Sequence, residues 1–273
     1  MSIERYAVMG NPIKHSRSPQ IHKAFAEQAD QHMTYTSMLV PEDQFEESVR
    51  HFFAEGGKGL NITVPFKLRA FDLADELTER AMRAKAVNTL WQNNEGLIVG
   101  DNTDGVGMVR DIMHNHDGRI AGKKVLIVGA GGAVRGVLAP VLAENPASLV
   151  LTNRTFEKAH HLAEEFTDLG RIEAVHMNQL QGPFDWIING TAASLKGDVP
   201  NLPETAIGEH TRVYDMMYAK EITPFNAWAL DQGAEKAFDG LGMLVEQAAE
   251  SFRKWRGVMP STTTVISDLR SAM

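Results

Sequence analysis

Two short segments set a lysine and an acid at strand ends, where a proton-transfer site could form. In Leu60-Asn61-Ile62-Thr63-Val64-Pro65-Phe66-Lys67, the alternation of an extended chain puts Asn61 and Thr63 on one face and Leu60, Ile62 and Val64 on the other. Pro65 stops the ladder and presents Lys67 near the same strand end. Asn88, in Ala86-Val87-Asn88-Thr89-Leu90, and Asp104, in Gly100-Asp101-Asn102-Thr103-Asp104-Gly105, also fall at or near strand ends. Each alone reads as a cap or turn residue. Together they form a set suited to a polyhydroxylated ligand, with Lys67 and Asp104 able to handle a proton. Ser16 and Ser18 follow the first strand in Gly10-Asn11-Pro12-Ile13-Lys14-His15-Ser16-Arg17-Ser18-Pro19, where two hydroxyls could hold a small carboxylate beyond the strand's carboxyl end. Taken alone, they read equally well as a turn residue and a helix cap.

A second kind of chemistry is written further on. Lys124-Val125-Leu126-Ile127-Val128 is a buried-strand run, Gly129-Ala130-Gly131-Gly132-Ala133 a glycine turn, and Val134 onward a helix. A dinucleotide pyrophosphate needs that order: a turn that allows positive φ, no side chain against the approaching phosphate, and free N–H groups at a helix start. In an NAD site an acidic residue about 20 positions on receives the ribose 2′-hydroxyl. Here the next strand ends in Asn153-Arg154-Thr155, with Lys158 one turn beyond. A guanidinium grips a 2′-phosphate with two parallel N–H bonds, so NADP is favoured over NAD.

The elements that must position these residues alternate along the chain, as short apolar runs between helical patterns. Strands are expected at Tyr6–Met9, Tyr35–Val40, Leu60–Val64, Val87–Trp91, Val125–Val128, Leu149–Leu151, Trp186–Ile188 and Val213–Tyr214, an α/β order. Ser18 reads as the N-cap of a helix with Pro19 at its first position, and Phe45, Val49, Phe52 and Phe53 share one face of the next helix. Asn93-Asn94-Glu95-Gly96 reads as a hairpin turn leading into a short strand. The chain is expected to divide into a substrate-binding and catalytic domain (1–104), a Rossmann-like NADP domain (105–240) and C-terminal helices (241–273) packing back on the first.

Composition narrows the function further. The 273 residues carry 27 Lys+Arg against 35 Asp+Glu, a net charge of −8, the wrong sign for wrapping a phosphate backbone; nucleic acid is not an expected partner. The chain has no cysteine, which removes thiolate metal sites and thiol nucleophiles and leaves oxygen or nitrogen for any nucleophile. His114/His116 and His160/His161 lack helical ligand spacing, so no metal is expected. The longest apolar stretch, Val125 to Val134, is roughly half a membrane span, and Glu4 and Arg5 stand where a signal peptide would carry its apolar core. The expectation is a cytoplasmic protein without a membrane partner, monomer or homodimer.

The separate motifs, in order, resemble those of the shikimate dehydrogenase family. They are GNPIKHSRSPQIH (10–22), NITVPFK (61–67), AVNTL (86–90), DNTDG (101–105), VLIVGAGGAVRG (125–136), TNRT (152–155), INGT (188–191), DMMY (215–218) with TPF (223–225), and DGLGMLVEQAA (239–249). The resemblance runs nearly end to end. It implies an α/β fold with an N-terminal substrate domain, a Rossmann-like doubly wound NADP domain and a C-terminal helix returning to the first. It also implies reversible NADPH-dependent reduction of 3-dehydroshikimate to shikimate, in aromatic amino-acid biosynthesis.

By the same resemblance, Ser16 and Ser18 contact the substrate carboxylate. Asn61, Thr63, Asn88, Asp104 and Gln247 bind ring hydroxyls, Tyr218 lines the site, and Lys67 with Asp104 serves catalysis. Gly129, Ala130, Gly131, Gly132, Ala133, Asn153, Arg154 and Thr155 bind the cofactor, and Lys158 stands where some members have arginine. The chain departs from the pattern at Lys23, where members often have asparagine, and at Val134, which replaces a small residue. A relative that accepts quinate or NAD, and a non-catalytic metabolite sensor of the same fold, remain as alternatives.

Overall fold

The computed structural model describes residues 3–193 and 197–273. The chain divides into two compact units, Met1–Gly107 with Val245–Asp268 and Met108–Leu244 with Leu269–Met273.

The first unit is built on β1 (Glu4–Gly10), α1 (Ser18–Gln28), β2 (Met33–Leu39), α2 (Phe45–Ala54), β3 (Gly59–Ile62), α3 (Lys67–Leu73), β4 (Glu76–Leu77), α4 (Glu79–Ala84), β5 (Thr89–Gln92) and β6 (Ile98–Asp101). Its six-stranded sheet runs β2-β1-β3-β5-β6-β4 and is mixed, because β5 lies antiparallel to both β3 and β6. That reversal brings the polar segments together. The register pairs Asn61 with Thr89 and Thr89 with Asp101, so the end of β3, the start of β5 and the end of β6 share one edge of the sheet. The expected hairpin is present: Asn93 Oδ1 accepts from Glu95 N at 2.9 Å and Leu97 N at 3.0 Å, and Gly96 takes φ +82. Phe45, Val49, Phe52 and Phe53 are buried as their spacing predicts.

Three local expectations need correction. Ser18 is not the cap of α1: Arg17 holds that place with no side-chain cap bond, while Ser16 Oγ accepts from Ser18 N at 3.3 Å. The third strand ends at Ile62, and Val64 turns out to solvent, because Phe66 N bonds back to Thr63 O and reverses the chain. All four residues of β3 are buried, so the sheet is covered on the Asn61 face as well.

The second unit contains α5 (Asp104–Arg110) from Met108 on, then β7 (Lys124–Val128), α6 (Gly132–Ala143), β8 (Ser148–Thr152), α7 (Phe156–Glu164), β9 (Ile172–Ala174), β10 (Trp186–Asn189), β11 (Arg212–Asp215), α8 (Pro224–Asp231) and β12 (Lys236–Asp239). Its sheet, β12-β11-β10-β7-β8-β9, is parallel throughout. Numbered from β7, this is the doubly wound dinucleotide-binding order, which reverses between β7 and β10. Val125, Leu126, Ile127 and Val128 are fully buried, as a strand covered on both faces requires.

The chain ends in α9 (Leu241–Arg256) and α10 (Thr263–Ser271). From Val245 onward α9 belongs to the first unit. Two glycines make room for it there. A Cβ on Gly59 would lie 2.5 Å from the Trp255 indole, and one on Gly107 would lie 2.6 Å from Gln247 N. Among the described residues no helix is long and apolar enough to cross a membrane.

Candidate active site and cofactor loop

Along the shared edge of the first sheet, Lys67 Nζ lies 2.6 Å from Asp104 Oδ2, both side chains partly exposed. Asn88 Nδ2 donates to Asp104 Oδ1 at 2.9 Å, to Thr103 Oγ1 at 2.9 Å and to Gln247 Oε1 at 3.2 Å. Its Oδ1 accepts from Thr103 N at 2.9 Å and from the Thr89 hydroxyl at 2.8 Å. A backbone N–H only donates, so the Asn88 amide has one orientation, with nitrogen toward the acid. Asp104 is set in turn by Asn102, whose Oδ1 accepts from Asp104 N at 3.1 Å. The arrangement holds an ammonium and a carboxylate in contact at a partly open surface, with a neutral amide beside them, and can move a proton and orient hydroxyls.

The structure therefore brings Lys67, Asn88, Asp104 and Gln247 together. Ser16, Ser18 and Thr63 are half-buried beside strand ends, Thr63 close to Gly10, where a Cβ would lie 2.5 Å from its methyl. Asn61 is placed differently from expectation. Its Nδ2 is directed at Asn88 O, Thr89 Oγ1 and Ser251 Oγ, and its Oδ1 accepts from Tyr35 and His22, so both ends of the amide are engaged inside the protein. It supports the cluster and, like Asn88, would exchange an internal bond to meet a ring hydroxyl. Tyr218 lies in the second unit, half-buried in the segment after β11. Sequence reading missed Thr89, Thr103, Ser251, Tyr35 and His22, none of which carries charge or a turn signal to single it out.

Behind the cluster stands an ion-pair group. Arg80 meets Asp101 through two bonds of 2.6 Å and Glu250 at 2.9 Å, and Arg253 adds a bond of 2.7 Å to Glu250. Burial alone would raise both acids. The bonds from Arg80 to Asp101, and from Arg253 and Arg80 to Glu250, reverse the sign and hold both below their ordinary values, Glu250 at about 2.

In the second unit the glycine turn fits a pyrophosphate. Gly129 takes φ +119, a conformation that side chains rarely adopt, and a Cβ on Gly131 or Gly132 would meet nothing within 4 Å. No side chain caps α6, whose N-cap is Gly131, so its first N–H groups are left to a ligand or to water. At the end of β8, Asn153 Nδ2 donates to Thr155 O at 2.9 Å and fixes the turn that displays Arg154, which is exposed like Thr155 and Lys158. A cavity of about 580 Å³ lies there, lined by Val128, Asn153, Arg154, Met177, Thr191 and Val199 among others. Val134 is fully buried because the chain at Gly190 leaves it space, a Cβ there lying 2.3 Å from the valine methyl. Among the described residues no group of three acidic or histidine side chains could hold a metal.

Family models cover both units: a shikimate dehydrogenase substrate-binding domain matches residues 8–90, a shikimate/quinate 5-dehydrogenase model residues 111–196, and a shikimate 5′-dehydrogenase C-terminal domain residues 240–269. The shikimate dehydrogenase (NADP(+)) of Alkalilimnicola ehrlichii is 56% identical over 267 residues, covering 98% of each chain. The chain belongs to the shikimate dehydrogenase family. Solved structures of similar chains include an Ael1 enzyme from Pseudomonas putida, with TM-score 0.93 and 46% identity over 97% of this chain and 98% of that one. Another is the shikimate 5-dehydrogenase of Thermus thermophilus in complex with NADP(H) and shikimate, with TM-score 0.87 and 30% identity over 99% and 100%. The departure at Val134 is matched by the missing side chain at Gly190.

Proposed function

We propose that Lys67 and Asp104 carry the proton chemistry of a reversible, NADP-dependent interconversion of shikimate and 3-dehydroshikimate. The chain is an NADP-dependent oxidoreductase of this family. The observation that supports the residue assignment is the 2.6 Å contact of Lys67 with Asp104, steered by Asn88. Bound NADPH supplies the hydride. As negative charge grows on the ketone oxygen, the Lys67 ammonium stabilises it and delivers the proton. Asp104 orients a ring hydroxyl and holds Lys67 in place, while Asn88, Gln247 and Thr63 take further hydroxyls. Ser16 and Ser18 grip the carboxylate, and Tyr218 completes the substrate contacts.

The cofactor is held by Gly129, Ala130, Gly131, Gly132 and Ala133 at its pyrophosphate, and by Asn153, Arg154, Thr155 and Lys158 at its 2′-phosphate. The same reading places the enzyme in the cytoplasm as a monomer or homodimer. The test is NADPH appearance with shikimate, run beside quinate and NAD. Turnover on shikimate with NADP is the expected result; binding of shikimate without turnover would make the protein a metabolite sensor and end this reading.

A further inference from the structure

His22 lies wholly buried behind the Asn88–Asp104–Lys67 cluster. Its ring stacks on Tyr35, centroids 4.1 Å apart and planes 7° from parallel, with Phe25 edge-on at 5.9 Å and Trp255 at 5.4 Å. Nε2 is 3.1 Å from Asn61 Oδ1, and the Tyr35 hydroxyl is 2.7 Å from the same oxygen. The far end of that amide decides the tautomer. Asn61 faces the backbone carbonyl of Asn88 at 3.1 Å, and a carbonyl only accepts, so nitrogen stands at that end and oxygen faces the histidine. His22 therefore carries its proton on Nε2, and its Nδ1 is buried without a partner. Burial pushes its pKa down to about 3, which keeps the ring neutral across the working range. Leaving a polar nitrogen unpaired in the interior is costly, and a phenylalanine would fill the same stack; what the histidine adds is one N–H.

We propose that His22 and Tyr35 are positioning residues for the reaction, two donors converging on one amide oxygen to set the catalytic cluster from behind. With its oxygen held from two sides, Asn61 keeps its nitrogen on Asn88 O, Thr89 Oγ1 at 3.3 Å and Ser251 Oγ at 3.0 Å. The Thr89 hydroxyl then donates to Asn88 Oδ1, the bond that, with Thr103 N, aims Asn88 Nδ2 at Asp104. Remove a donor and the Asn61 amide can rotate, which sets its oxygen against the Asn88 carbonyl and loosens the chain of bonds ending at Lys67. This inference rests on the assignment of proton chemistry to Lys67 and Asp104.

The experiment uses variants that keep the aromatic stack. Tyr35→Phe removes one hydroxyl and His22→Phe one N–H; His22→Gln returns an N–H donor at similar reach. Each phenylalanine variant is expected to lower kcat with shikimate about 10-fold, in the range that misplacing a catalytic group produces, with KM for NADP+ unchanged. His22→Gln should recover part of the loss seen in His22→Phe. Retention of kcat within about twofold in both phenylalanine variants, a parallel rise in KM for NADP+, or no recovery with glutamine overturns the inference. If His22→Phe does not fold, Tyr35→Phe decides alone, through kcat at saturating shikimate, because the Tyr35 hydroxyl also meets Ser18 and its loss there acts on KM for shikimate. Lys67→Met runs in the same series: full turnover there sinks the Lys67 assignment, whereas loss there with no effect at His22 and Tyr35 sinks only the positioning role.

Discussion

Asn88 donates to Asp104 through the carboxylate oxygen that Lys67 does not use, Nδ2 to Oδ1 at 2.9 Å, while Lys67 takes Oδ2 at 2.6 Å. The acid is thus held from both sides, and the ammonium is the member of the trio with donors to spare. Lys67→Met should lower turnover by roughly 10²-fold or more, on the scale of general acid–base catalysis, with the fold and NADP affinity nearly intact. Steady-state kinetics with shikimate, alongside a cofactor titration, checks this. Near wild-type turnover would make Lys67 a surface residue that merely pairs with Asp104.

Because Ser18 does not cap α1, replacing it tests binding without removing a helix cap. Ser18→Ala should weaken shikimate by about 10- to 100-fold, the value of one hydrogen bond to a charged group, and leave a shikimate analogue without the carboxylate unaffected. Its thermal midpoint should fall by only a few degrees, since the half-buried Ser18 hydroxyl loses one neutral interaction, with Tyr35, of about 1 kcal/mol. An equal loss for acid and analogue would point to collapse of the loop. Ser16→Ala is the less clean variant, because Ser16 Oγ also accepts from Ser18 N.

Cofactor choice is expected to rest on the turn after β8. Arg154→Ala removes a planar donor pair, and at roughly 1.5–3 kcal/mol per bond to a charged group should weaken NADPH about 10- to 100-fold. Lys158 would retain part of the attraction as a less directional charge. NADH affinity should barely change. Paired titrations at one ionic strength are needed, since salt screens phosphate contacts. If the variant loses both cofactors equally, Arg154 does not read the 2′-phosphate.

Much of this was legible in the sequence because the informative residues announce themselves locally. A glycine turn between a buried strand and a helix carries its own geometry, and Asn93 and Gly96 specify a hairpin within four residues. What could not be read were relationships across distance. That β5 runs antiparallel, so that Asn88 enters from a strand's start while Thr63 and Asp104 leave strand ends, is fixed by sheet pairing and not by any residue. Asn61 looks like a polar group aimed at a ligand; only the fold reveals that α9 and β2 supply Ser251 and Tyr35 to engage it. The edge strands β4 and β9 went unread because two or three residues are too few to show a period, and β12, Lys236-Ala237-Phe238-Asp239, because it carries no apolar run.

The Val134–Gly190 contact predicts a compensating pair. Gly190→Ala places a Cβ 2.3 Å from the Val134 methyl and 3.0 Å from Met216 Sδ, so α6 or the valine must shift. Overpacking of this kind costs about 1–3 kcal/mol. Because Val134 adjoins the glycine turn, NADP affinity should fall with stability. Gly190→Ala with Val134→Ser should regain most of both, as measured by urea unfolding and cofactor titration. Failure of the second change to help would place the strain at Met216 instead.

The ion-pair group behind the site makes stability depend on pH in a defined sense. Asp101 and Glu250 are 0% and 1% exposed, and Arg80 bonds both. Arg80→Gln leaves Asp101 to Thr78, a backbone N–H and the Lys254 ammonium at 4.0 Å, and Glu250 to Arg253, so the loss at pH 7 should be about 3 kcal/mol, the lower end for breaking a buried pair. Both acids have depressed folded pKa values, Glu250 at about 2 against an ordinary 4.5. Their contribution is therefore complete above the ordinary carboxylate range and drains away as pH falls through it toward the folded values. In the variant those values rise toward normal, and with them goes the source of the difference. The gap between wild type and Arg80→Gln should thus be widest near neutrality, narrow below pH about 4.5, and nearly close near pH 2. Urea unfolding of both proteins at pH 7, 5 and 3 measures it. A gap that stays constant or widens in acid would mean that Arg80 stabilises the fold by packing its stem and not through the two carboxylates.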